Sequence, residues 1–386
     1  MKIVTIIGAR PQFIKAASVG RAIHEYNVKS EGSEETINEI IIHTGQHFDN
    51  NMSQVFFCEM DISKPDYNLG INNSSHGAMT GGMLAGIEEI LIREKPDWVL
   101  VYGDTNSTLA GALAAVKLHI PIAHVEAGLR SFNRRMPEEI NRIMADHIAT
   151  ALFCPTKQAM LNLKAEGIVN HNKCACGLKQ GLARKVELVG DVMYDAHLFY
   201  AKQAESKSFF AKQMIADRIQ NRAYALVTLH REENTENIDR FLNILSAIRK
   251  IASKMLVVWP VHPRTQKKIE EYGIAEELND SSIMRIDPTG YFDMTILMKN
   301  CLLVMTDSGG VQKEAYFFEK PCVTLRDETE WIELFEHGLN RIGGSDTDRI
   351  VNAVSAMLEA DLRFDEALYG DGNAGKKIIA VLSEVL

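Results

Sequence analysis

The sequence has no excess of positive charge, no long apolar run at its start and no disulfide framework. Its 386 residues include 42 lysines and arginines against 51 aspartates and glutamates, so the net charge is −9. Nucleic acid requires a basic face, so this balance argues against a nucleic-acid partner, although a few placed cations still suit a small polyanion. The apolar stretch at residues 3–7 contains Thr5 and stops at Gly8, far short of a signal-peptide core or membrane span. We therefore expect a cytoplasmic protein with no membrane partner.

The six cysteines are scattered without the spacing of a disulfide-rich protein. Cys154 and Cys322 lie inside apolar runs, which indicates buried, reduced thiols in a reducing cytosol. His171, Cys174 and Cys176 form a cluster with potential metal ligands, but the Cys-x-Cys spacing is tight and no fourth ligand is evident. We interpret this segment as a polar, irregular loop and expect no metal.

Short β-branched runs alternate with longer helical patterns, which predicts an α/β protein with parallel sheets covered on both faces. The runs fall into two sets, the second beginning at residues 186–189, so we expect two doubly wound domains. A polar stretch, residues 166–185, marks their junction, and the predicted domains are 1–170 and 171–364. The final helix, within 365–386, is expected to pack back on the first domain. A ligand would lie in the cleft between the domains, at the carboxyl ends of the strands.

The first strand runs directly into Gly-Ala-Arg-Pro-Gln-Phe-Ile-Lys at residues 8–15, where nucleotide-binding α/β domains place a phosphate loop. The Gly-x-Gly-x-x-Gly fingerprint of dinucleotide binding is absent. Arg10 and Lys15 instead offer a planar fork of donors and a point charge, both suited to phosphate. The alternative is a solvated helix start, but cations there oppose the helix dipole, which favours a functional role.

Acidic residues follow two predicted strands and begin a predicted helix. Asp104 and Glu126 each end a strand, and Glu138 and Glu139 follow a proline at a helix start. Acids at the carboxyl ends of buried strands converge on a ligand and suit general acid/base catalysis. The alternatives are that Asp104 caps a helix and that Glu138 and Glu139 only complement its dipole.

Two further motifs lie at strand ends in the predicted second domain. Residues 228–234 carry His230 after an apolar run, and a histidine there could assist the departure of a diphosphate, although a lone histidine is more often structural. Residues 306–314 place Ser-Gly-Gly between a strand and a helix, where free N–H groups can bind an anion. Glu314, one turn further, could accept both hydroxyls of a ribose. A tight strand–helix turn is the alternative.

Taken in order, these segments resemble the non-hydrolysing UDP-N-acetylglucosamine 2-epimerases. The resemblance covers nearly the whole chain and includes Gly-Asp-Thr-Asn-Ser-Thr, His-Val-Glu-Ala-Gly-Leu-Arg, Pro-Glu-Glu-Ile-Asn-Arg and Pro-Val-His-Pro. It implies a GT-B fold, with two Rossmann-like domains facing a cleft, UDP bound by the second, and usually a homodimer. The implied reaction converts UDP-GlcNAc to UDP-ManNAc by elimination and re-addition of UDP, for surface polysaccharide synthesis, without a cofactor.

The resemblance also implies roles for individual residues. Asp104, Glu126 and Glu138 match the family's acid/base carboxylates, and His230 matches its group at the leaving oxygen. The implied substrate-binding residues are Arg10, Lys15, His262, Ser308, Gly309, Gly310 and Glu314. The C2 proton is not adjacent to a carbonyl, so its removal requires UDP to leave from C1 in the same step, with cations stabilising the diphosphate.

Several positions depart from the family pattern. The first motif has Ala9, Gln12 and Phe13, residues 46–49 differ, and Gly82 replaces an arginine of activator-responsive members. These changes touch the region that resembles a second, activating UDP-sugar site, so we predict that activation by substrate is weak or absent. Similar changes occur in a subgroup acting on UDP-2,3-diacetamido-2,3-dideoxy-glucuronate, which is the alternative substrate.

That alternative substrate carries a C6 carboxylate. Arg130, Arg134 and Arg135 lie between two acidic motifs and could pair with it, although a solvated basic loop explains them equally well. Three other functions remain open: a hydrolysing 2-epimerase, a GT-B glycosyltransferase and a non-catalytic UDP-sugar sensor. Deuterium at C2 after incubation in heavy water would separate an epimerase from a transferase, and free sugar would indicate hydrolysis.

Overall fold

The computed structural model describes residues 1–30, 36–46, 64–72, 75–170, 183–220, 222–364 and 367–384. These residues form two compact units, one of Met1–Leu198 with Ala367–Leu386 and the other of Phe199–Glu366. None of the described helices combines the length and apolar character needed to cross a membrane.

The first unit is built on a seven-stranded sheet. Its strands are β1 (Lys2–Ile7), β2 (Asn38–His43), β3 (Tyr67–Asn68), β4 (Trp98–Tyr102), β5 (Ile122–Val125), β6 (Ala151–Cys154) and β7 (Lys185–Leu188). Its helices are α1 (Arg10–Lys29), α2 (His76–Glu94), α3 (Asn106–Lys117), α4 (Pro137–Ile148), α5 (Lys157–Ala165) and the first part of α6 (Val192–Lys207). The strand order is β3-β2-β1-β4-β5-β6-β7, with every pairing parallel.

The second unit is built on a six-stranded parallel sheet. Its strands are β8 (Tyr224–Thr228), β9 (Leu256–Pro260), β10 (Ile283–Ile286), β11 (Leu303–Thr306), β12 (Cys322–Thr324) and β13 (Asn340–Ile342). Its further helices are α7 (Phe210–Met214), α8 (Glu232–Thr235), α9 (Ile238–Ala252), α10 (Pro263–Glu271), α11 (Tyr291–Asn300), α12 (Gly309–Phe317), α13 (Ile332–Glu336) and α14 (Thr347–Glu359). The strand order is β10-β9-β8-β11-β12-β13. The last helix, α15 (Ala374–Glu384), belongs to the first unit and packs on α1.

Continuous apolar strands explain the architecture. All five residues of β4 are buried, as are all four of β5 and β6, which is the pattern of a parallel sheet with helices on both faces. The prediction of two doubly wound α/β units is therefore confirmed. Each sheet reverses its strand order at one place, between β1 and β4 in the first unit and between β8 and β11 in the second. Ligands of such sheets bind beyond the carboxyl ends of the strands at this switch point.

The described boundaries differ from the predicted ones at two places. Strand β7 pairs with β6 in the first sheet, so assigning residues 186–189 to the second domain was wrong. The units divide after Leu198, whereas the sequence suggested residue 170, because β7 and the start of α6 continue the first unit. Strands β3 and β13 were not predicted, since both are short and contain polar residues. Residues 171–182, which include His171, Cys174 and Cys176, lie outside the described residues.

One partly buried acid in the first sheet makes stability depend on pH. Burial raises the pKa of Glu39 from 4.5 to about 7, against the opposing effect of the Thr5 hydroxyl, which donates to it at 2.5 Å. The folded state then holds a proton that the unfolded state has lost, so stability falls as pH rises from 4.5 to 7.

We expect Glu39→Gln to remove that loss and to stabilise the protein by about 1–3 kcal/mol at pH 8, with little change at pH 4.5. The amide oxygen of glutamine can still accept from Thr5. Calorimetric melting of both proteins at the two pH values measures the effect. Equal differences in Tm at the two pH values would contradict it.

Candidate functional site

Gln12 joins the two loops at the switch point of the first sheet. Its buried side chain accepts through Oε1 from the N–H groups of Gly8 (2.8 Å) and Ala9 (3.0 Å). Its Nε2 donates to the carbonyl of Tyr102 (2.8 Å) and the hydroxyl of Thr108 (3.1 Å). The loop after β1 is thereby fixed to the end of β4 and the start of α3.

Lys15 and Glu126 form a buried ion pair beside this junction. The Lys15 Nζ lies 2.5 Å from Oε1 of Glu126, and both side chains are less than a tenth exposed. Lys15 is the sixth residue of α1, so the solvated helix start considered from the sequence is wrong for this cation. A Cβ built on Gly103 would lie 3.2 Å from Lys15 Nζ and 3.3 Å from Glu126 Oε1, so the pair rests against the residue before Asp104.

Asp104 is held by two residues of α4. Its Oδ2 accepts a short hydrogen bond from Arg142, and its main-chain carbonyl accepts from Asn141 at 2.9 Å. The Asp104 side chain is about one quarter exposed, so it can still meet a ligand. The helix-cap interpretation of Asp104 is wrong, because the hydroxyl of Thr105 caps α3 by accepting from Thr108.

Glu138 and Glu139 have different environments although both lie in the first turn of α4. Glu139 is buried and accepts from the N–H groups of Ser131 (2.9 Å) and Phe132 (3.0 Å), and it pairs with Arg142 at 3.2 Å. Glu138 is partly exposed, and none of these contacts involves it. Glu139 therefore shapes the loop before α4, whereas Glu138 is available to a ligand.

In the second unit, His230 and Asp307 meet at the switch point between β8 and β11. The Nδ1 of His230 lies 3.2 Å from Oδ1 of Asp307, whose carboxylate also accepts from the N–H groups of His230 (3.0 and 3.1 Å) and Arg231 (2.8 Å). Burial favours the neutral acid, but the contacts with His230 and these N–H groups lower the pKa of Asp307 overall. Asp307 thus fixes a His230 ring that is about one third exposed.

His262 lies close to that ring. The two imidazole centroids are 5.3 Å apart, and Nδ1 of His262 accepts from the N–H of Arg264 at the start of α10. Ser308 directly follows Asp307 and precedes the first residue of α12. The structure therefore brings His230, His262 and the Ser308 loop to one edge of the second sheet.

The loop from Ser308 to Gly310 has little space on one side. A Cβ on Gly309 would lie 2.2 Å from Oε1 of Glu330, whereas a Cβ on Gly310 would have only the Ser308 hydroxyl nearby, at 3.9 Å. Glu314 lies in the second turn of the same helix and is partly exposed. This helix start offers N–H groups to an anion, and a side chain at its first position would displace Glu330.

Arg130 does not serve the role considered for it. It is buried, donates to Asp146 at 2.7 Å, and forms two hydrogen bonds with Glu166, each of 2.7 Å. It therefore has no face for the carboxylate of a ligand, and that interpretation was wrong. Arg134 and Arg135 are exposed. The side chain of Arg10 lies outside the described part of the structure.

Three residues that organise the site were missed from the sequence: Gln12 as a connector of loops, Arg142 as the partner of Asp104, and Asp307 as the partner of His230. Arg142 is three residues after Glu139, so a helical pattern would have placed both on one face. Asp307 adjoins the Ser-Gly-Gly motif at a strand end. The pairing of Arg142 with Asp104, and that of Asp307 with His230, cannot be predicted without knowing which elements are neighbours in the fold.

Known proteins resemble the chain over its full length. The family model described as UDP-N-acetylglucosamine 2-epimerase matches residues 30–383. A UDP-2,3-diacetamido-2,3-dideoxy-D-glucuronate 2-epimerase of Pseudomonas aeruginosa is 50% identical over 386 residues, which is 100% of both chains. A UDP-N-acetylglucosamine 2-epimerase of Methanococcus maripaludis is 43% identical over 384 residues, 99% of this chain and 98% of the relative.

A solved structure is also similar. The crystal structure of Methanocaldococcus jannaschii UDP-GlcNAc 2-epimerase, in complex with UDP-GlcNAc and UDP, superposes with a TM-score of 0.87 at 40% sequence identity. The superposition covers 100% of both chains. This similarity supports the GT-B class that the motifs implied.

Proposed function

The chain belongs to the UDP-N-acetylglucosamine 2-epimerase family, and we propose that it inverts C2 of a UDP-linked 2-acetamido sugar without a redox cofactor. The observation that carries this proposal is the arrangement at the first switch point. Asp104 is held by Arg142 and directly follows Gly103. The Lys15–Glu126 ion pair packs against Gly103. Two carboxylates beside one loop provide the acid and the base that inversion of a carbon requires.

The reaction proceeds by elimination and re-addition. One carboxylate takes the C2 proton while the C1–O bond breaks, and the bonding electrons leave with the UDP oxygen. The resulting glycal then receives a proton at C2 from the opposite face, and the UDP oxygen bonds to C1 again. We assign the proton transfers to Asp104, Glu126 and Glu138.

Cations and N–H groups stabilise the leaving diphosphate in this proposal. Arg10 and Lys15, which the family resemblance assigns to the diphosphate, supply positive charge, and His230, held by Asp307, supplies a donor. The loop from Ser308 to Gly310 binds phosphate at the start of α12, with His262 beside His230. Glu314 accepts from the ribose hydroxyls.

Two substrates fit this chemistry. UDP-GlcNAc is the substrate named for most of the similar enzymes, including one at 43% identity. UDP-2,3-diacetamido-2,3-dideoxy-D-glucuronate is the second candidate, because the relative named for it is 50% identical over both full lengths. Since Arg130 is already paired, a C6 carboxylate would have to meet other cations of the chain.

The test is C2 exchange with both UDP-sugars in parallel, in heavy water, followed by NMR. The preferred substrate should gain deuterium at C2 and yield its C2 epimer, with no free sugar. Free sugar as the main product would instead indicate a hydrolysing epimerase. No exchange with either substrate, together with retained UDP binding, would indicate a glycosyltransferase or a sensor.

We further propose a cytoplasmic homodimer that supplies a sugar nucleotide for surface polysaccharide. The family resemblance supports the dimer and the pathway class, and the free, buried thiols of Cys154, Cys301 and Cys322 suit a reducing compartment. Light scattering of the purified protein tests the dimer. We also keep the prediction that substrate activation is weak, so its rate curve should be hyperbolic.

The neighbours Glu138 and Glu139 give a matched test of the acid at the start of α4. Glu138→Gln should lower the C2 exchange rate by about 10²-fold or more, with Tm unchanged, because it removes a proton acceptor from a partly exposed position. Glu139→Gln should lower Tm, because a neutral amide weakens the charge-assisted contacts with Arg142 and two N–H groups. Equal effects of both changes on Tm would contradict this division.

A further inference from the structure

Asn234 lies in α8 of the second unit, four residues after His230, and is completely buried. Its side-chain Nδ2 is 3.2 Å from Oδ2 of Asp307 and 2.8 Å from the main-chain carbonyl of Leu325. Asp307 directly follows β11, and Leu325 directly follows β12. One amide therefore joins the segments that follow three neighbouring strands, β8, β11 and β12.

The orientation of this amide follows from its partners. The carbonyl of Leu325 can only accept, so the atom that contacts it must be the amide nitrogen. The amide oxygen faces Arg240 of α9, which has only donors and lies 3.3 Å away through Nη2 and 3.4 Å away through Nε. Arg240 is held in turn by Asp327, at 2.8 Å. Asn234 therefore donates to Asp307 and does not accept from it.

The two oxygens of Asp307 have different partners. Oδ2 accepts from Asn234 and from the N–H of Arg231 at 2.8 Å, whereas Oδ1 lies 3.2 Å from Nδ1 of the His230 ring. The N–H of His230 is shared by both oxygens, at 3.0 and 3.1 Å. The last torsion of an aspartate has no sharp minimum, so its contacts decide the angle of the carboxylate. Because Asn234 holds Oδ2, Oδ1 stays directed at the His230 ring.

We infer that Asn234 is a positioning residue for His230 and acts through the Asp307 carboxylate. This inference rests on the proposed role of His230 at the leaving UDP oxygen. Asp307 directly precedes Ser308, so the segment that holds the ring continues into the proposed phosphate loop. That loop has a support of its own, because the N–H of Ser308 donates to the Thr306 hydroxyl at 2.9 Å. Loss of Asn234 should therefore disturb the ring and leave phosphate binding in place.

The test is Asn234→Ala, measured as kcat, KM and the Kd for UDP. We expect kcat to fall by about 10- to 100-fold, as for a slightly misplaced catalytic group, with the Kd for UDP within about threefold of wild type. Asn340→Ala is the matched control, because Asn340 of β13 is also buried and its amide has two side-chain partners, Gln312 (3.0 Å) and Thr324 (2.9 Å). The control should lower Tm and keep kcat. An unchanged kcat in Asn234→Ala, or an equal fall in both variants, overturns the inference.

His230→Gln separates this inference from the proposed function. If Asn234 acts through His230, adding Asn234→Ala to His230→Gln should lower kcat no further, because the effects of residues that act through one another are not additive. Losses that multiply would show an effect of Asn234 that is independent of His230, and they would overturn the inference. An unchanged kcat in His230→Gln alone would remove the proposed role of His230, and the inference with it.

Arg240→Met provides the test if Asn234→Ala does not fold. The Arg240 side chain is about one quarter exposed, and methionine removes both of its contacts with the Asn234 oxygen while filling much of the same space. We expect kcat to fall by about threefold or more, and no further in the His230→Gln background. Asp327→Ala is its control, because it removes the contact of Asp327 with Arg240 and leaves both contacts with Asn234. A wild-type kcat in Arg240→Met overturns the inference.

Discussion

Replacing Asp104 by asparagine should lower the C2 exchange rate by about 10²–10⁴-fold, the range that a general acid or base contributes. The amide can accept neither a proton nor the full charge-assisted contact with Arg142, although it has nearly the same shape. The main-chain contact with Asn141 does not involve the changed group, so the loop should keep its position. We therefore expect the Kd for UDP to stay within about threefold of wild type, because the proposed diphosphate contacts are made by other residues.

Asp97→Asn is the matched control for this change. Asp97 precedes β4 and Asp104 follows it, so the two acids lie at opposite ends of one strand. The Asp97 side chain accepts from the N–H of Lys2 at 2.8 Å, which an amide oxygen can also do. The control should keep most of its exchange activity. Turnover retained in Asp104→Asn would show that Asp104 is not an acid/base group, and parallel losses of Tm and UDP binding would indicate a structural role.

The sequence predicted the strands that are apolar throughout. It did not predict the assignments that depend on which strands are paired. Strands β4 and β6 are buried at every position, and both were recognised as apolar runs. Strand β7 has only one buried residue among its four, and nothing in its sequence indicates that β6 is its neighbour. Strand β13 has three residues, two of them polar, and only its pairing with β12 identifies it.

The site shows the same division. The acids Asp104 and Glu126 were found because each follows an apolar strand, and strand ends meet at one edge of a parallel sheet. Whether a side chain is already paired within the folded protein could not be predicted in this way. Arg130 looked available in the sequence, yet Asp146 and Glu166 occupy it, and they lie 16 and 36 residues further along the chain. Such long-range pairing is a property of the folded chain and not of a local motif.

Alanine substitutions at the adjacent Gly309 and Gly310 of the second unit should distinguish effects on UDP binding from effects on stability. In Gly309→Ala the new methyl would lie 2.2 Å from Oε1 of Glu330 and 3.2 Å from its Cδ. The Glu330 side chain cannot move away without cost, because it is only one tenth exposed and its Oε2 pairs with the buried Arg326 at 2.9 Å. We expect Gly309→Ala to lose about 1–3 kcal/mol of stability, as overpacked sites do.

Displacement of the start of α12 should also weaken UDP binding in Gly309→Ala, by about 10- to 100-fold if one or two charge-assisted contacts with phosphate are lost.

In Gly310→Ala the methyl meets no protein atom closer than 3.9 Å, so Tm should equal or exceed that of wild type. If phosphate lies against this loop, however, the same methyl enters the space that the phosphate needs, and UDP binding should weaken without loss of stability. Calorimetry of each variant for Tm and for UDP titration separates the two effects. Unchanged UDP affinity in Gly310→Ala would place the phosphate elsewhere, because a helix start that tolerates a methyl beside its N–H groups is not in close contact with an anion.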